Sequence, residues 1–202
     1  MMRRIPALGV LLVLALTVPL AVVEAATLEI VPSASTARYR VREQLAGRNF
    51  PNDAIGTTQQ VSGSIVLDAQ GRIAPGSKVT VDLRTIRSDE PRRDNYIRNN
   101  TLTTASFPYA EFVPGELRGL PFPLPASGRA NVQILGSLTI SGVTRTMVWN
   151  GTAEFRGDSV RLQAGTAFKF GEFELAQPRV FFVLSVEDNI RLEVDLTLRQ
   201  VS

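Results

Sequence analysis

The sequence predicts an all-β protein: an antiparallel barrel of about eight strands with one short helix after the third strand. Three observations predict it. Apolar and polar residues alternate with period two through much of the chain, as in strands with one buried and one solvated face. Successive runs in the second half are separated by turns of two or three residues, which makes neighbours antiparallel. No stretch carries a long 3.6-residue apolar period. Such strands close most naturally as an up-and-down barrel, with a two-sheet sandwich as the rival.

The first 25 residues stand apart from this pattern. Met1-Met2-Arg3-Arg4 is a short basic start, residues 8–20 are almost wholly apolar, and Val23-Glu24-Ala25 ends on a small residue. This is the layout of a secretory signal peptide cut after Ala25. The apolar run is short for a membrane span, and the absence of cysteine excludes a lipoprotein anchor. One domain, residues 26–202, is expected to remain.

Its first strand alternates Ala37, Tyr39 and Val41 with Arg38, Arg40 and Arg42. A second carries Val61, Gly63, Ile65 and Leu67, and a third carries Val79, Val81 and Leu83. Residues 88–100, "SDEPRRDNYIRNN", then interrupt the alternation. Ser88 or Asp89 can cap a helix, Glu90-Pro91 fits its first turn and Asn99-Asn100 its stop. A helix of about three turns is expected, with Tyr96 and Ile97 facing inward. A short strand follows near residues 111–113, and the four prolines of residues 114–125 read as a loop.

The remaining strands are the clearest. One face of residues 130–140 presents Val132, Ile134 and Leu138, and Ser141-Gly142 turns the chain. The next strand, residues 144–155, contributes Met147, Trp149 and Phe155. After Gly157-Asp158, Leu162, Phe168 and Phe170 share a face. A strand over residues 179–186, a turn at Glu187-Asp188-Asn189, and a last strand with Val194 and Leu196 inward complete the set.

Composition narrows the chemistry. Histidine and cysteine are both absent from the 202 residues. That removes Ser-His and Cys-His nucleophiles, thiol chemistry and the usual zinc ligands. Stability outside the cell must come from a buried core rather than disulfides. Without Arg3, Arg4 and Glu24, the 22 basic and 19 acidic residues become 20 and 18. The arginines are scattered along strands, which gives nucleic-acid binding little support.

Three segments carry a family resemblance: "VTVDLRTIRSDEPRRDNYIRNN" (residues 79–100), "SFPYAEF" (106–112) and "GSLTISGVTR" (136–145). In this order the chain resembles the YceI-like family of exported, lipocalin-like isoprenoid-binding proteins, over roughly residues 33–201. The resemblance implies an antiparallel lipocalin-like barrel around a long apolar lipid. Many members carry histidine in the first strand and in an "LTLHGVT" hairpin. This chain has Ser35-Thr36-Ala37 and Ile140-Ser141-Gly142 there, so no contact built on those histidines transfers.

The leading functional reading is therefore an exported, non-catalytic binding protein, periplasmic or secreted, for an isoprenoid or other long-chain lipid, with no cofactor, metal or nucleic acid. Its wall candidates are Val132, Ile134, Leu138, Met147, Trp149, Phe155, Leu162, Phe168, Phe170, Val194 and Leu196. An inward Leu or Phe serves first as core, so the pattern alone leaves a filled and a hollow barrel both open. In the charged segment, Arg92, Arg93 and Arg98 would stand at the mouth, with Arg93 and Arg98 the named candidates for a polar head group. A solvated helix with Asp89, Glu90 and Asp94 balancing its arginines is the plainer reading. Two other classes are weighed. A carboxylate-dependent hydrolase would need converging acids such as Asp94 with Glu111, or Glu172 with Glu174. A partner-binding module, with a homodimer as one form, would use "RVFFVLSV" (residues 179–186). There Phe181 and Val183 would face in, and Phe182 and Leu184 out.

Overall fold

The computed structural model describes residues 25–181 and 183–201. The segment read as a signal peptide lies outside them, except for Ala25. Ten strands form one continuous antiparallel sheet. They are β1 (Ala26–Ile30), β2 (Thr36–Leu45), β3 (Asn52–Thr58), β4 (Val61–Leu67) and β5 (Lys78–Asp82), then β6 (Tyr109–Arg118), β7 (Ser127–Ile140), β8 (Val143–Arg156), β9 (Ser159–Phe168) and β10 (Val183–Val201). Helix α1 (Pro91–Tyr96) lies between β5 and β6 and continues through a π turn, Ile97–Thr101.

Eight strands close a circuit in the order β1, β4, β5, β6, β7, β8, β9, β10, with β10 returning to β1. The last strand makes this possible by serving two neighbours on one edge. Its C-terminal part pairs with β1, Leu198 opposite Ile30 and Val201 opposite Thr27. Its earlier part pairs with β2, Asp195 opposite Thr36 and Ile190 opposite Val41. At that end the β2–β3 hairpin takes over from β1. It carries the wall onward to Arg87, whose N–H and C=O both bond to Thr57 at 3.0 and 2.8 Å.

The core divides along the barrel axis. One end is packed solid by Leu28, Val61, Leu67, Val132, Phe155 and Val160, with Leu120, Phe122 and Leu124 of the connection after β6 folded against them. This is the floor. The other half is lined by Val41, Ile134, Leu138, Trp149, Phe168 and Ile190.

Several expectations are corrected. The helix follows the fifth strand of the chain, because β1 and β3 precede it unrecognised. Glu90, not Ser88 or Asp89, caps α1: its carboxylate accepts the Arg92 N–H at 3.0 Å, and Pro91 takes the first position. The short strand near residues 111–113 is the ten-residue β6. Pro114 lies inside it at a bulge, where a missing N–H costs no ladder bond. Glu187-Asp188-Asn189 is a bulge within β10 rather than a turn, and Asp188 accepts the Phe170 N–H at 3.0 Å. There is accordingly no separate strand over residues 179–186. Phe181 is fully exposed and does not face the barrel. Phe182 lies outside the described residues.

Two serines, Ser35 and Ser141, hold structure together. Ser35 is buried, donates to the Val31 carbonyl at 2.8 Å and accepts the Thr197 N–H at 3.0 Å, tying β10 to the start of β2. Ser141 donates to the Leu102 carbonyl at 2.8 Å and anchors the segment after α1 to the β7–β8 turn.

Candidate functional site: the barrel cavity

Above the packed floor the barrel is hollow, with a cavity of about 600 Å³. That lies mid-range for pockets that enclose a small ligand, roughly 300–1,000 Å³. The period-two alternation of each strand aims one face into it. β7 supplies Ile134, Leu138 and Ile140, β8 supplies Trp149, and β9 supplies Leu162, Ala164 and Phe168. β10 adds Leu192, Val194 and Leu196, while Tyr39 and Val41 of β2 and Phe112 of β6 stand opposite. Small residues make room for the large ones. A Cβ on Gly56 would come within 2.1 Å of the Tyr39 ring, and one on Gly136 within 2.7 Å of the Phe112 ring. Phe112 in turn tilts against Trp149, with ring centroids 5.8 Å apart.

The rim is polar. Arg48, Asp89 and Arg92 are exposed yet line the cavity, so it reaches solvent between the β2–β3 turn and the N-terminus of α1. Just inside sits an ion pair linking barrel to helix: Arg93 Nη2 donates to Glu43 Oε1 at 2.6 Å. Arg93 Nη1 donates to Asp89 and, at 3.2 Å, to Ser88 Oγ. The hydrogen bond from Arg93 holds the Asp89 carboxyl below the usual carboxylate range. Glu43 is 6% exposed, and Asn52 Nδ2 is its other partner, at 3.4 Å. Deeper, the Tyr39 hydroxyl and Trp149 Nε1 are buried without a hydrogen-bond partner. Burial pushes the Tyr39 phenol far above its ordinary value, so it stays protonated.

Nine of the sequence-named candidates meet at this cavity: Ile134, Leu138, Trp149, Leu162, Phe168, Phe170, Val194, Leu196 and Arg93. Four do not line it. Val132 and Phe155 belong to the floor, because two residues along a strand separate floor from wall. Met147 packs within the core beside Trp149 without fronting the cavity. Arg98 turns away, donating to the Ile86 carbonyl at 3.2 Å and to Asn95 Oδ1 at 2.6 Å. Sequence reasoning missed Glu43. Its signal was available, since it continues the inward series Ala37, Tyr39, Val41.

The acids considered for catalysis are held separately. Asp94 is buried and accepts the N–H and hydroxyl of Ser88, whereas Glu111 pairs with Lys78 at 2.8 Å. Glu172 accepts the Lys169 N–H, and Glu174 lies 3.8 Å from Arg145. Among the described residues, no three His, Cys, Asp or Glu side chains are grouped to hold a metal.

A family model described as a YceI-like domain matches residues 28–198. The chain belongs to the YceI-like family. A UPF0312 protein of Enterobacter sp. (strain 638) is 23% identical to this YceI-like chain over 145 residues, 65% of this chain and 71% of that protein. A solved polyisoprenoid-binding domain from Saccharophagus degradans, implicated in plant cell wall breakdown, superposes with a TM-score of 0.64 at 12% identity. The match covers 86% of this chain and 98% of that one. BcnA of Burkholderia cenocepacia gives 0.61 at 18% identity over 83% and 98% of the two chains. These structures share the barrel fold with this YceI-like chain.

Proposed function

We propose that this YceI-like protein is exported, loses residues 1–25, and holds one long apolar lipid in its barrel. The ligand is a polyisoprenoid or a fatty-acid-like amphiphile, bound without chemical change for transport, storage or sequestration. The observation that carries the reading is the cavity of about 600 Å³, whose wall is built from Ile, Leu, Val, Phe and Trp above a solid floor. Each 100 Å² of ligand surface taken from water there contributes about 2.5 kcal/mol, offset by the freedom a flexible chain loses on binding. The family relationship and the isoprenoid-binding neighbour support the same chemistry.

The polar end of the ligand belongs at the rim, near the exposed Arg48 and Arg92. Arg93 is a weaker candidate than the sequence suggested, since Glu43 and Asp89 already match its charge. Native mass spectrometry tests the proposal. The full chain is expressed with export, purified without detergent, and weighed before and after organic extraction. A discrete extra mass that leaves with solvent and returns with added polyprenyl phosphate or fatty acid supports it. A bare polypeptide mass that no long-chain lipid shifts refutes it.

A further inference from the structure

Two loops project beside the cavity mouth: the β2–β3 turn, residues 46–51, and the stretch leading into β10, residues 176–181. The pairing of Val183 with Leu45 and Ser185 with Gln44 holds them side by side. Both loops contribute to the cavity, the first through Arg48 and the second through Pro178 and Val180. Both also carry large apolar side chains into solvent. Phe50 is 80% exposed and Phe181 fully so, and Leu184, at the adjoining start of β10, is 66% exposed. Among the described residues the other exposed large hydrophobics, such as Tyr109 and Val148, are all under half exposed.

Scattered single exposed hydrophobes need no explanation. Two of them on adjoining loops and a third, Leu184, at the adjacent start of β10, beside the opening of an apolar cavity, form a coherent feature. The charges nearby give it a sign. Arg48, Arg92 and Arg179 are exposed around the same opening. The neighbouring carboxylates are engaged: Glu43 and Asp89 by Arg93, Asp53 by Arg40 and Arg42, and Glu90 by the Arg92 amide. Glu187 and Asp188, in the β10 bulge, are also exposed, and Asp188 is engaged by the Phe170 N–H. Aromatic tips flanked by uncommitted arginines match an anionic bilayer surface, whose boundary accepts aromatic rings and whose head groups attract cations.

We propose that the mouth docks on an anionic lipid bilayer. Phe50, Phe181 and Leu184 enter the boundary between head groups and acyl chains, and Arg48, Arg92 and Arg179 rest on the head groups. A lipid then moves between bilayer and cavity without crossing water. The function of the docking rests on the lipid-binding reading above, but the docking itself is separately measurable.

The test is co-sedimentation of the exported protein with vesicles of phosphatidylcholine alone or with about one third phosphatidylglycerol, in low salt. Wild-type protein binds the anionic vesicles, and added salt weakens binding. The triple variant Phe50→Ser, Phe181→Ser, Leu184→Ser keeps its thermal midpoint and binds at least about tenfold more weakly. Equal binding by the triple variant overturns the proposal. So does a wild-type dimer that never binds vesicles and becomes monomeric in the triple variant, which assigns the patch to a second copy. Ala164→Trp, which puts an indole into the cavity, separates the two readings: it docks normally and carries less lipid. Vesicle binding without any extractable lipid in wild-type protein leaves the docking standing and removes the carrier function.

Discussion

The ion pair between Arg93 and Glu43 joins helix α1 to the barrel, and its removal has a calculable cost. Replacing Arg93 with Met leaves the Glu43 carboxylate, 6% exposed, with only the Asn52 amide at 3.4 Å. Breaking one side of a buried pair costs roughly 3–5 kcal/mol. Arg93 retains 14% of its side-chain exposure at a rim open to solvent, so water recovers part of that. The expected loss is about 2–3 kcal/mol. Asp89, 82% exposed, simply returns to solvent. Adding Glu43→Gln to Arg93→Met removes the stranded charge and brings stability back to within about 1 kcal/mol of wild type. The assay is urea unfolding of lipid-extracted protein, so that bound ligand does not mask the difference. A single variant within about 0.5 kcal/mol of wild type, or a double variant no better than the single, would refute the reasoning.

Other outcomes follow from the same geometry. Phe155→Ala in the solid floor should cost about 3–5 kcal/mol, whereas Leu162→Ala on the hollow wall should cost clearly less, near 1–2 kcal/mol, because the space beside it is already empty; similar urea midpoints for the two would show that floor and wall do not differ. Ala164→Trp should lower the fraction of protein carrying extractable lipid in native spectra while shifting the thermal midpoint by only a few degrees; undiminished lipid loading would place the ligand elsewhere. Hydrogen bonds from arginine hold the Asp82 and Asp195 carboxyls below the usual range. The stability they contribute is complete above the unfolded carboxylate value, roughly 3.9, and is lost as pH falls through their lower folded values. With no histidine to titrate, the urea midpoint should stay flat from about pH 5 to 8 and drop below about pH 4; an unchanged midpoint near pH 3 contradicts this.

The barrel was legible wherever one face is apolar and the other wet. β7, β8 and β9 read correctly for that reason, and residues 88–100 announced α1 through proline and charge. β3 was illegible because its inward residues are Ala54, Gly56 and Thr58, kept small where Tyr39 fills the space above Gly56. Glu187-Asp188-Asn189 imitated a turn because a bulge uses the same polar residues, here to bond the Phe170 amide. The cavity itself could not be read from alternation. Val132 and Ile134 share a face and strand, yet one is floor and the other wall. That distinction depends on height along the axis, which is set by the register of eight strands together. Arg98 lies away from the cavity for a simpler reason: its guanidinium bonds the Ile86 carbonyl in the connection before α1.

The long strand β10 closes the circuit against β1, flanks β9 and carries the β2–β3 hairpin. Every one of its partners precedes it in the chain, and Thr27 waits for Val201. The closing contacts are therefore among the least local the sequence offers, and such pairings form slowly, on millisecond to second scales. Until β10 arrives, β1, β2 and β9 present unpaired edges. The polypeptide thus remains threadable through most of its synthesis, and the same dependence makes truncation within β10 a route to edge-to-edge aggregation rather than to a smaller barrel.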